Sequence, residues 1–134
     1  MHEVAHRWWP TATEIADSVR AEVRGGTPSS AMRLLMDGIN YLPDAAAHDD
    51  LAGTLAEPPS TGDVRWDTLL AAAIRYRLRI IGVPAPAWTY KPPLAKLWWP
   101  VQATRAKAYN DFATTPAELR RVGIFVSERS FATA

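Results

Sequence analysis

The sequence predicts a mainly α-helical fold: a small single-domain helical bundle with one long central helix at about 63–81, crossed by an irregular segment rich in proline and tryptophan. Three observations predict it. Apolar residues recur at three-four spacing from Trp66 to Ile81. Helix-start chemistry stands at Thr11, Thr27, Asp63 and Thr115. Alternating apolar and polar runs, the mark of strands, are almost absent. A chain of 134 residues suffices for one domain with a modest core, so residues 1–134 are read as a single unit.

Residues 1–10, "MHEVAHRWWP", are expected to form an arm, flexible or docked on a partner, because Pro10 cuts short any helix there. Thr11 and Glu14 stand in capping-box spacing and open a helix to Arg24, with Ile15, Val19 and Val23 on one face; Gly25-Gly26 ends it. Thr27-Pro28 offers a cap followed by proline, opening a second helix through about Tyr41. Its stripe is Ala31, Leu34, Leu35, Gly38, Ile39 and Leu42, so 11–42 reads as a helical pair. Residues 44–57 predict a short third helix, capped by Asp44 and anchored by Leu51 and Leu55. "PPSTGD" at 58–63 is a turn.

The central helix then presents Trp66, Leu69, Leu70, Ala73, Ile74, Leu78 and Ile81 on its core stripe and stops at Gly82. Arg75, Arg77 and Arg79 in its last turns predict a solvated face. Residues 83–101 hold five prolines and four aromatic residues, which exclude one long helix and leave room for a single turn at Pro93–Trp98. Residues 104–112 read as a helix. Thr115-Pro116-Ala117-Glu118 predicts a capping box for a short helix to Val122, closed by Gly123. "IFVSERSF" predicts a strand-like apolar contact followed by a last turn capped by Ser127.

Catalytic chemistry is hard to find. His2-Glu3-Val4-Ala5-His6 matches H-E-x-x-H, in which two histidines four apart on a helix hold Zn²⁺ and the glutamate handles a water proton. Here the helix would be barely two turns, and His48 is the one other histidine, so the zinc-hydrolase reading is a remote alternative. His48 beside Asp49 and Asp50 reads as a solvated residue, and Asp67 as the ion-pair partner of Arg65. No phosphate-binding glycine loop or G-x-S-x-G elbow is present. The sequence therefore predicts no enzyme, no metal and no cofactor. A net charge of +1 gives no warrant for a general nucleic-acid binder. Zero cysteines, no membrane-length apolar run and no signal-peptide pattern predict a soluble, cytoplasmic protein without disulfides or thiolate sites.

Six tryptophans are many for this length. Trp66 lies on the core stripe. Four of the six, Trp66 among them, fall in a pattern: Gly62-Asp63 with Arg65-Trp66-Asp67, then Ala87-Trp88-Thr89, Trp98-Trp99-Pro100 and Gly123-Ile124-Phe125. In this order and over residues 57–131 the chain resembles an actinobacterial antitoxin-like helical module, found behind a Cro/C1-type helix-turn-helix domain and encoded beside a nucleotidyltransferase-like toxin. The resemblance implies a protein whose task is to hold another protein. Before Glu57 only two helices and a fragment fit, too few for a full helix-turn-helix domain, so nucleic-acid binding by this chain is not expected.

The expected function is thus that of an antitoxin of a toxin–antitoxin pair, neutralising its cognate toxin by direct protein–protein binding. The candidate partner-binding anchors are Trp98, Trp99, Tyr90 and Trp88, with Trp8 and Trp9 on the arm, since large stiff aromatic residues dominate interface energetics. The alternative is a transcriptional regulator in which 11–24 and 28–41 form a degenerate helix-turn-helix. Against it, the second helix carries Arg33 as its sole cation.

Overall fold

The computed structural model describes residues 7–100 and 105–131. The fold is mainly helical. Its helices are α1 (Ala12–Arg24), α2 (Pro28–Ile39), α3 (Leu42–Ala47), α4 (Leu51–Thr54), α5 (Val64–Ile80), α6 (Arg105–Thr114) and α7 (Ala117–Arg120), with 3-10 turns at Ala87–Thr89 and Glu128–Phe131. Among the described residues there is no β-strand, and Trp98 and Ile124 form an isolated parallel bridge. No helix among them is long and apolar enough to cross a membrane.

α1 starts on the expected capping box: the Thr11 hydroxyl accepts from the Glu14 N–H, and the Glu14 carboxylate accepts from the Thr11 N–H at 2.9 Å. It packs along α2 through Ala12, Ile15, Ala16 and Val19. Thr27 does not cap α2. Its hydroxyl donates to the Glu22 carbonyl, and its N–H bonds the same oxygen, so it closes α1 instead. On α2 the buried face is turned from the expected stripe: Met32 and Met36 are inside, while Leu34 is partly exposed. The α1–α2 contact is closest at Gly38, where an added Cβ would fall 2.6 Å from two Ile15 side-chain carbons.

Residues 44–57 form two short helices rather than one. Asp44 lies inside α3, and Asp49 adopts a left-handed conformation with φ 56° that breaks the path before α4. The Asp50 carboxylate does not cap α4 because the Arg7 guanidinium holds it.

α5 is the central helix. Asp63 caps it by accepting from the Arg65 N–H at 2.8 Å. Its buried residues include Trp66, Leu69, Leu70, Ala72, Ala73, Ile74, Tyr76 and Leu78, and it touches α1, α2, α7 and the first 3-10 turn. One hydrophobic cluster joins α1 and α2 to α5 and to the Leu119–Phe131 stretch. At the end of α5, Gly82 takes φ +75°, letting the Val83 N–H reach back to the Leu78 carbonyl at 2.9 Å.

Two arginines expected on a solvated face are latches. Arg77 donates to the Asn40 side chain and, at 2.7 Å, to the Phe131 carbonyl, joining α5 to the end of α2 and to the C-terminal turn. Arg79 pairs with the almost buried Glu118 of α7. That pairing removes Glu118 from the predicted capping box, and Thr115 accepts from the Val126 N–H instead. Asp67 likewise forms no pair with Arg65. It accepts from the Thr61 N–H at 2.7 Å and from the Thr61 and Ser60 hydroxyls, tying the 58–63 turn to α5, while Arg65 pairs with Asp63.

The crossing segment has no helical turn at 93–98. The Leu94 N–H donates to Val122 and the Trp98 N–H to Gly123, at 2.9 and 2.8 Å, so these amides serve a tertiary pairing. The left-handed Gly123 (φ +84°) turns the chain out of α7 and presents Ile124 and Phe125 to it. The final turn follows expectation, with the Ser127 hydroxyl accepting from the Arg129 N–H.

Two predictions follow from this packing. Gly38→Ala would gain about 1 kcal/mol of helix propensity, but the contact with the stiff, buried Ile15 costs about 1–3 kcal/mol. Denaturant titration should show net destabilisation, eased by Ile15→Val; an unchanged or higher midpoint contradicts the close contact. Burial pushes the Glu118 carboxyl up, but hydrogen bonds from Arg79 and from its own backbone, with the charges of Arg79 and Arg75, outweigh it and hold the carboxyl below its ordinary value. The folded state therefore binds this proton more weakly than the unfolded chain. The contribution is present above the ordinary carboxylate range and lost as pH falls through it. Glu118→Gln should flatten the acid side of the stability–pH curve, and an unaltered slope refutes the assignment.

Candidate partner-binding surfaces

The six aromatic residues singled out by the sequence fall into two groups. Four are committed to the body of the protein. Trp9 is 5% exposed, and its indole N–H donates to the Thr54 hydroxyl at 2.8 Å. Residues 7–10 are thus not a detached arm: Trp9 is packed inside, and Arg7 is bound to Asp50. Trp88 is half-buried and donates to the Leu55 carbonyl at 2.9 Å, pinning the first 3-10 turn to the end of α4.

Trp98 and Trp99 are adjacent in an extended stretch, so their side chains leave on opposite sides. Trp98 meets Trp66 of α5 edge-on, with centroids 5.3 Å apart, and the Arg65 guanidinium lies 4.9 Å from a Trp98 ring centroid. Trp99 stacks on Phe125 at 4.8 Å and donates to the Ala108 carbonyl of α6 at 3.1 Å; Phe112 stacks on Phe125 at 4.9 Å. The paired tryptophans therefore bolt the crossing segment to α5 and to α6. Both are half-buried, so neither is a free anchor.

Trp8 and Tyr90 are the exposed members, at 60% and 63%. Tyr90 carries the Arg75 guanidinium 4.4 Å from its ring centroid. This stack edges an open cleft of about 350 Å³ between the end of α5, the 82–85 loop and Glu118. Trp8 stands at the centre of an aromatic group, perpendicular to Trp9 (5.3 Å, 81°), Tyr41 (6.0 Å, 87°) and His48 (6.1 Å, 88°).

Sequence reasoning missed Tyr41, which is 40% exposed. It sits where α2 gives way to α3, outside the apolar stripe, and its position opposite Trp8 follows from a contact distant in sequence. It also missed Tyr109 and Phe112 on α6, 75% and 47% exposed, although their spacing of three puts them on one helix face.

Among the described residues no cluster of histidine and acidic side chains could hold a metal ion. His48 donates through Nδ1 to the Asp44 carbonyl at 2.8 Å and packs against Trp9. His2, Glu3 and His6 lie outside the described residues. The outer face of α2 presents Arg33, with Asp37 one turn on, and its deeper positions are spent on α1 and α5.

Compared with protein-family models, curated proteins and solved structures, the chain matches none.

The division of the tryptophans is measurable by stability. Trp9→Ala should cost about 3–5 kcal/mol in urea titration, as for a large buried aromatic residue, whereas the exposed Trp8→Ala should cost only about 1–2 kcal/mol, for its edge contacts to three rings. Equal losses in the two variants would show that the arm packs otherwise.

Proposed function

We propose that this protein is the antitoxin of a toxin–antitoxin pair and neutralises a nucleotidyltransferase-like toxin by binding it directly, in the cytoplasm of an actinobacterial cell. Two lines support the reading. The motifs of residues 57–131 resemble those of antitoxin-like modules, and Trp8 and Tyr90 expose rigid aromatic surface on a body that packs the other indoles. The second line carries the physical argument. A large aromatic residue left in water gives up the burial available to it, and the same residue is what interfaces use as an anchor.

On this reading a rigid aromatic surface lies over the toxin's nucleotide or acceptor-RNA site, and no chemistry is asked of the antitoxin. The test is to express the protein encoded next to this chain, alone and together with it. Growth arrest by the neighbour, relieved by this chain in a stoichiometric complex, is the expected outcome. Arrest that persists beside the folded chain, or a neighbour that arrests nothing, overturns the proposal.

A further inference from the structure

We infer that the surface formed by Trp8 and Tyr41, with Asp37, Asp44 and Asp49 close to Tyr41 and His48 in the chain, docks an arginine-bearing segment of the partner; the partner's being a toxin rests on the reading above, the surface chemistry does not. Trp8 is exposed yet held upright by edge contacts to three rings. Two of those rings are themselves fixed, Trp9 by its buried bond to Thr54 and His48 by its bond to the Asp44 carbonyl. An exposed indole with so little freedom loses little side-chain entropy on docking. Its N–H makes no hydrogen bond to the described residues, unlike those of Trp9, Trp88 and Trp99.

These aspartates supply the charge. Asp37 lies one turn before Tyr41, Asp44 lies in the next turn after it, and Asp49 follows His48. None of the three forms an ion pair with a described residue, whereas the neighbouring Asp50 is taken by Arg7. Helical spacing sets Asp37 and Asp44 on the side of Tyr41, and carboxylates that pair with no described residue, next to exposed rings, suit a planar cation, which stacks on an aromatic face while its N–H fork reaches carboxylates. A guanidinium meets both demands. A lysine ammonium meets the charge alone. On the antitoxin reading the arrangement has a further sense: a cleft that binds nucleotide phosphates carries cations, and rings beside carboxylates offer such a cleft the features of base and phosphate.

The experiment titrates the intact, nitrogen-labelled protein with a capped arginine–glycine repeat peptide and, in parallel, with lysine–glycine and glutamate–glycine repeats, following the indole N–H resonances. The arginine peptide should shift the Trp8 resonance saturably, several-fold more tightly than the lysine peptide and with an affinity that falls as salt is raised. Trp8→Ala with Tyr41→Ala, and separately Asp37→Asn, Asp44→Asn and Asp49→Asn combined, should weaken binding tenfold or more with an unchanged circular dichroism spectrum. Asparagine tolerates the left-handed conformation at residue 49, so the second variant keeps the fold. Equal shifts with the acidic peptide, or shifts centred on Trp88 or Trp99, overturn the inference. The same variants against the neighbour-encoded protein separate the two proposals. If that protein binds the parent and the variants alike, the surface assignment falls and the antitoxin reading stands. If the peptide binds as described but the neighbour does not, the antitoxin reading falls and the surface stands.

Discussion

Burial of α5 on nearly every side is the constraint on which the rest of the structure depends. The helix spans 17 residues and buries its apolar stripe together with Ala71, Ala72 and Tyr76, well beyond one face. A helix buried so fully must be enclosed by other elements, and no single partner helix can do that. α1 and α2 cover one side; α7, the first 3-10 turn and the crossing segment close much of the rest. The five prolines of residues 83–101 bring no backbone N–H to satisfy, and the N–H groups of Leu94 and Trp98 find the Val122 and Gly123 carbonyls. Its tryptophans supply the bulk that a short irregular chain otherwise lacks. Covering α5 thus accounts for Trp88 and Trp98, while Trp9 and Trp99 are spent on Thr54 and on Phe125 and α6.

The polar groups around α5 repeat the theme of long-range fastening. Asp67 holds the preceding turn, Arg77 holds the ends of α2 and of the chain, and Arg79 holds α7 through Glu118. The Arg79–Glu118 pair sits half in water, so it adds little by charge attraction alone. Its worth is geometric. It satisfies a nearly buried carboxylate and fixes α7, and from α7 the left-handed turn at Gly123 leads into the pairing with Trp98.

Much of this was legible from local signals. The capping box of α1, the extent of α5 and the stop at Gly82 each depend on residues within one or two turns of one another, and a sequence displays those directly. What failed were assignments whose groups had a second partner to choose, whether a few residues away or, for Glu118, far along the chain. Thr27 and Glu118 carry cap chemistry but spend it on Glu22 and Arg79, and Asp67 turns from the adjacent Arg65 to Thr61. Of the candidate surface the sequence shows the residue types and not their exposure. Tryptophan content pointed to aromatic anchors, yet whether an indole faces water depends on contacts such as Trp9 with Thr54 or Trp99 with Ala108, and nothing local in the sequence encodes them. Tyr41 escaped notice for the same reason.

The tryptophans therefore do different jobs that the composition lumps together: Trp66, Trp88 and Trp98 pack at the central helix, Trp9 and Trp99 fasten other elements, and Trp8 stays exposed in the small aromatic surface proposed for a partner. Hydrogen exchange on the free chain and on its complex with the neighbour-encoded protein tests that separation most directly. The account predicts that the complex slows exchange of the amides around 8–9 and 37–49 beyond their rates in the free chain, while the Leu94 and Trp98 amides, bonded to Val122 and Gly123, exchange alike in both states. New protection confined to 94–99 and 122–125, with 37–49 unchanged, would show that the crossing segment is the partner's seat and would contradict the account.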